Sequence, residues 1–308
     1  MWRDVDHEPP RDDRDRPGLA RGGRPDADRH DRSMSDPRDV FARHLDLPRG
    51  PARERVYLRG RTYQLRGSDV RILAAVGAFR VVPERDLRTP EWRARDLRHL
   101  REAGLVHTQP YVVGKQRTIL VTLTEHGREL LENYRYRSGD PQVQSFYAGV
   151  SKPGELAHDA QLYRAYVRAA ERLNARGGLV RRVVLEEELK REYQRFLQGS
   201  NRRRRDASGR PDRTAEEIAR WAREHSLPMD GEHVQLPDFR IEYDERDGRR
   251  ATEDVEVTTP HYRGAHAAAK VRSGFTRYRA TGARVGGVRT SRGGGRGYDP
   301  RLAEEMLE

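Results

Sequence analysis

The sequence predicts an α+β chain with two folded parts behind an unstructured N-terminal tail. Three observations point there. Residues 1–50 are mostly Asp, Arg, Pro and Gly with almost no apolar periodicity, and such a segment cannot bury enough surface to order itself. Residues 65–136 then alternate helical and β-type patterns, and a second alternating set opens at Pro153 after the turn-rich stretch "RYRSGDPQVQSFYAGVSKPG". A length of 308 residues suits two such parts. The expected boundaries are a disordered tail over 1–50, a first domain over 51–140, a linker over 141–152, a second domain over 153–290 and a C-terminal tail over 291–308. Met34 opens "MSDPRDVFARHLDL", which reads as a more natural start than Met1.

In the first domain, Ser68 is placed to cap a helix through "DVRILAAVGAFRVV", with Val70, Leu73, Ala74 and Val76 or Gly77 at helical spacing. Pro83 opens a short helix, "PERDL". Thr89 and Pro90 have the pattern of an N-cap followed by proline at the first helical position, and they open "EWRARDLRHLREAG", which Gly104 closes. That helix should bury Ala94, Leu97 and Leu100 and turn Arg95, Arg98 and His99 outward. "LVHTQPYVV" and "RTILVTLT" form a hairpin about Gly114, Lys115 and Gln116, and Thr124 caps a last helix, "EHGRELLENY".

The second domain opens on a long amphipathic helix with Leu156, Ala160, Tyr163 and Val167 on one face and Gly177 as its stop. A strand, "LVRRVVLE", a charged helix to about Gln198 and the exposed run "GSNRRRRDASGRPDR" follow. The helix "TAEEIARWAREHSL" leads to two strands, "DFRIEYD" and "EDVEVTT". A helix bearing Lys270 and a final strand near "ARVGGVRTS" complete the order.

Hydrophobic residues are 34% and charged residues 36% of the chain, so the cores must be modest. Without an apolar run of membrane-spanning length, a cysteine or a signal pattern, the expectation is a soluble, cytoplasmic protein. Residues 51–140 hold 18 Lys and Arg against 11 Asp and Glu, an excess that favours polyanions and makes double-stranded DNA the expected partner. Arginine-rich composition alone could also produce it, since only four of the basic residues are lysines. The low aromatic content, 7%, argues against an RNA stacking platform.

Helix, short helix, basic helix, hairpin, helix is the order of a winged helix-turn-helix, and "LREAGLVH" and "VTLTEHGRELL" resemble stretches of many bacterial members. The resemblance implies a recognition helix carrying Arg95, Arg98 and His99, and a wing carrying Lys115 and Arg117, on DNA. A winged helix used for protein contacts is the alternative.

Asp238, after Pro237, starts one strand of the second domain, and Glu256 lies in the next, alternating with Val255 and Val257. Carboxylates converging from separate elements are what a hard cation needs in phosphodiester chemistry. The pattern resembles the PD-(D/E)xK restriction-endonuclease-like superfamily, with Thr258 where that family's lysine usually sits. The resemblance implies Asp238, Glu256 and Lys270 as catalytic residues. It also implies Mg²⁺ or Mn²⁺ held by Asp238 and Glu256, with Glu155 or Asp159 of the preceding helix as a further ligand, and His158 beside them. Together the two parts resemble replication-relaxation proteins of plasmids and other mobile elements. That implies DNA binding in replication or mobilisation, with possible partners among such proteins and a possible homodimer. A regulator whose degenerate nuclease fold serves dimerisation or partner contact is the alternative.

Overall fold

The computed structural model describes residues 36–279 apart from 90–91, 93, 114–115, 137–142, 151–152, 200–212 and 259–271. The described chain belongs to one compact unit from Asp36 onward. It opens on α1 (Asp39–Ala42); Val40 and Phe41 of α1 and Leu45 and Leu47 just beyond it are all buried. The unstructured tail expected over 1–50 therefore does not reach residue 50. Four apolar residues within "VFARHLDL" supply surface that the charged residues before them lack.

A hairpin not anticipated from the sequence comes next, β1 (Glu54–Leu58) paired antiparallel with β2 (Arg61–Leu65). Its two-residue turn places Arg59 at φ 47° and Gly60 at φ 77°, the left-handed pair that matches the twist of a tight hairpin. Val56, Leu58, Tyr63 and Leu65 point into the core while their neighbours stay exposed.

α2 (Gly67–Phe79) starts earlier than the expected Ser68 cap, with Asp69 Oδ2 accepting a hydrogen bond from the Arg66 amide at 3.2 Å. It stops at Arg80, whose φ of 63° breaks the helix, so Val82 is not helical but joins β3 (Val82–Pro83). α3 (Glu84–Leu87) and α4 (Ala94–Glu102) follow, and Gly104 at φ 71° closes the second. Leu97 and Leu100 are buried as expected. β4 (Val106–Val113) and β5 (Gln116–Leu123) form the predicted hairpin, completed by β3 into a sheet of order β3-β5-β4. Thr124 caps α5 (Glu125–Asn133) by accepting from the Gly127 amide at 3.1 Å.

A single 3-10 turn, Pro153–Glu155, leads into α6 (Leu156–Ala175). Its buried stripe is wider than a one-sided helix needs, because α6 packs on β6 and β10 on one hand and on α2 and β3 on the other. β6 (Leu179–Leu185), α7 (Glu186–Leu197), α8 (Ala215–Glu224), the short pair β7 (Met229–Asp230) and β8 (His233–Val234), β9 (Phe239–Asp244), β10 (Arg250–Thr258) and β11 (Thr276–Arg279) complete the chain. Four of these strands make a mixed sheet, β11-β10-β9-β6, antiparallel except for the parallel β10–β11 pair. The helix expected to bear Lys270 and the strand expected near "ARVGGVRTS" lie outside the described residues, whereas β11 is an observed strand at 276–279.

One core runs through both segments expected as domains. The Phe79 ring of α2 meets Phe41 at 5.6 Å, Tyr163 at 5.4 Å, Tyr166 at 5.2 Å and Phe239 of β9 at 6.1 Å between centroids. Packing at that density ties the first segment's helices to the second segment's sheet.

Candidate functional site

Two surfaces carry the residues singled out in the sequence, one on α4 and one at the start of β9. On α4, Arg95 and Arg98 are exposed, and among the described residues neither has a carboxylate partner. Asp96 faces inward and is held by Arg66 at 2.8 Å and Arg53 at 3.6 Å, which fixes the rotation of the helix. His99 does not face outward with the arginines: its Nε2 bonds the Gln64 carbonyl of β2 at 2.8 Å. The reason is angular, since His99 sits on the flank of the exposed stripe where β2 passes. Arg117 of β5 is exposed, and Lys115 lies outside the described residues.

Beside α4, a groove of about 580 Å³ is lined by Arg85 and Arg88 of α3 and its end, Arg101 of α4, and Arg117. Arg88 is partly neutralised by Glu84 at 3.1 Å. Sequence reasoning missed Arg85, Arg88 and Arg101 because they come from separate elements and converge only when the hairpin folds back over the helices.

At the second surface, Asp238 sits just before β9, 7% exposed. Its backbone carbonyl accepts from the Glu186 amide at 2.9 Å, which ties the start of β9 to the start of α7. Its Oδ2 accepts from the Val257 amide of β10 at 2.7 Å and is 3.1 Å from His158 Nε2. His158 Nδ1 lies 3.6 Å from Asp159 Oδ1. Burial disfavours the imidazolium, but its hydrogen bonds with Asp159 and Asp238 and their charges outweigh burial and raise its pKa to about 10. At neutral pH a cationic ring therefore stands between two carboxylates.

Glu256 is 2% exposed, between Val255 and Val257 of the core, so it is no solvated strand residue. Glu155 is exposed at the start of α6, and Asp159 one turn on is half-buried. Thr258, in the position of the resembled family's lysine, donates its hydroxyl to the Tyr278 carbonyl of β11 at 3.4 Å. Lys270 lies outside the described residues. The fold thus brings Asp159 and Asp238 to one histidine. Among the described residues, no three His, Asp or Glu side chains form a group able to hold a metal ion. His158 stands out in the structure by its contacts, whereas in the sequence only its adjacency to Asp159 marked it.

Among the described residues no helix is long and apolar enough to cross a membrane. Compared with protein-family models, with curated proteins and with solved structures, the chain matches none.

Proposed function

We propose that this chain is a DNA-binding protein of the winged-helix type, in which α4 enters the major groove and the β4–β5 hairpin acts as the wing. One observation carries the reading: the exposed stripe of α4 presents Arg95 and Arg98 without carboxylate partners among the described residues, beside a groove lined by four arginines. An α-helix fits the major groove, arginine is suited to the acceptor edge of guanine, and the groove arginines suit the adjoining phosphates. A place in the replication or mobilisation of a plasmid or other mobile element rests on the sequence resemblance. The test is fluorescence anisotropy with duplex DNA. Arg95→Glu with Arg98→Glu should cost about 1–3 kcal/mol per lost base contact and more from charge reversal, while the fold persists by circular dichroism. Unchanged affinity and selectivity in that variant would end the reading.

A second reading, metal-dependent cleavage of DNA by a PD-(D/E)xK-like sheet, is favoured by Asp238 just before β9 and Glu256 on the neighbouring β10 of a mixed sheet. Among the described residues no three His, Asp or Glu side chains form a group able to hold Mg²⁺ or Mn²⁺, and Asp238 Oδ2 is engaged by a backbone amide and His158. No catalytic step is therefore assigned. The non-catalytic form of the proposal gives this cluster another task, pinning the start of α6 to the β9–β10 pair. Nicking of supercoiled DNA by the wild-type chain with either metal, lost in Asp238→Ala, would instead establish the enzyme.

A further inference from the structure

α4 has two flanks, and the groove occupies only one of them. At 100° per residue, Arg95, Arg98 and Glu102 share the exposed crest, Arg101 lies to one side and His99 to the other. Arg101 lines the groove with β4 and β5, whereas His99 bonds β2. The β1–β2 hairpin therefore borders the recognition surface on the side away from the β4–β5 hairpin.

The hairpin is held in that place along both edges. Gln64 of β2 accepts from His99, and Tyr57 of β1 exchanges two hydrogen bonds with the Tyr134 hydroxyl beyond α5, at 2.7 and 3.1 Å. With its edges engaged and its inner face in the core, what remains is the outer face. It carries Arg55, Thr62, Gln64 and Tyr57, the last 58% exposed, with Arg61 exposed beside the turn. Arg59 pairs with Glu129 at 3.1 Å, but among the described residues neither Arg55 nor Arg61 has a carboxylate partner. Glu54 is the one acid of the hairpin, against three arginines.

We infer that the β1–β2 hairpin is a second phosphate-contacting arm on duplex DNA, so that the protein grips both backbones bordering the groove that α4 occupies. A helix roughly 10 Å across in a groove roughly 12 Å wide leaves each flank against one phosphate row. The arginine-lined groove meets one row, and Arg55, Arg61 and the Tyr57 hydroxyl meet the other. Such contacts add affinity and fix register without reading sequence. The inference rests on the assignment of α4 to DNA.

The test compares three forms of the full chain on a mixed-sequence, fluorescein-labelled duplex across a salt series: wild type, Arg55→Gln with Arg61→Gln, and Arg95→Gln with Arg98→Gln. Losing two phosphate contacts should flatten the slope of log affinity against log salt by about 1.8 and weaken binding equally on all sequences. Because the chain has no cysteine, Thr62→Cys and Arg98→Cys can each carry a single photo-crosslinker. Both should crosslink to DNA. An unchanged slope in the hairpin variant, or crosslinking from position 98 but not from 62, overturns the second arm and leaves the α4 assignment standing. A wild-type chain that binds no duplex overturns both.

Discussion

Phe79→Ala is the most informative perturbation of the fold, because Phe79 is fully buried where α2, α6 and β9 meet. Four aromatic rings surround it at 5.2 to 6.1 Å, two from α6, one from α1 and one from β9. Removing a buried phenylalanine costs about 3–5 kcal/mol in lost transfer energy and residual cavity, and rings fixed on three elements cannot collapse far into the space. Against a total stability of roughly 5–15 kcal/mol, that is a fifth or more. With a urea m-value of about 2 kcal/mol/M, the unfolding midpoint should drop by about 1.5–2.5 M. Trp92 and Trp221 are buried in the first and second segments respectively, so single-tryptophan versions lacking Trp2 and one of the other two report on each. One shared core predicts that both fluorescence transitions move together. A shift confined to Trp92, with Trp221 unfolding at its original urea concentration, would refute the single core and restore two independent domains.

The His158 contacts predict a pH dependence with a definite sign. Its folded-state pKa, about 10, lies above the unfolded value of 6.5, so its contribution is fully present below pH 6.5 and is lost as pH rises through 10. Urea denaturation of His158→Gln should differ most from wild type at pH 6 and converge with it above about pH 10; a constant difference would mean that the ring acts by packing alone. Gly127→Ala should be destabilising by about 1–3 kcal/mol or more, because its Cβ would stand 2.2 Å from the Leu105 carbonyl oxygen and force α5 off the end of α4. A melting temperature equal to wild type would show that this approach is looser than described.

The elements most legible in the sequence were those whose signals are local. Thr124 caps α5 through its own side chain, Gly104 ends α4 with a positive φ, and the β-rich run after it sets β4. The order from α2 to α5 was therefore readable, as were α6, α8, β9 and β10. What failed depended on distant partners. Residues 39–47 look like part of a charged tail until Phe41 is placed against Phe79 and Tyr166, contacts 38 and 125 positions away. Val82 completed a helical run in the sequence, yet it pairs with Val121 in β3–β5, where the gain from sheet bonding overrides a weak helical preference. The site shows the same division. Asp238 and Glu256 were visible as acids on successive strands, but the amide of Val257 and the ring of His158 that engage Asp238 come from other elements. On α4, helical periodicity turns Arg95 and Arg98 outward as observed; it turns His99 with them because the β2 strand that His99 bonds is 35 residues away in sequence.

Selection from a random duplex pool tests the central claim, that α4 reads DNA, most directly. The wild-type chain should enrich one sequence family, and Arg98→Ala should relax the preference at one or two base positions within it, each by about 1–3 kcal/mol, while phosphate-driven binding persists. No enrichment by the wild-type chain, or the same family enriched undiminished by Arg95→Ala with Arg98→Ala, would contradict the account.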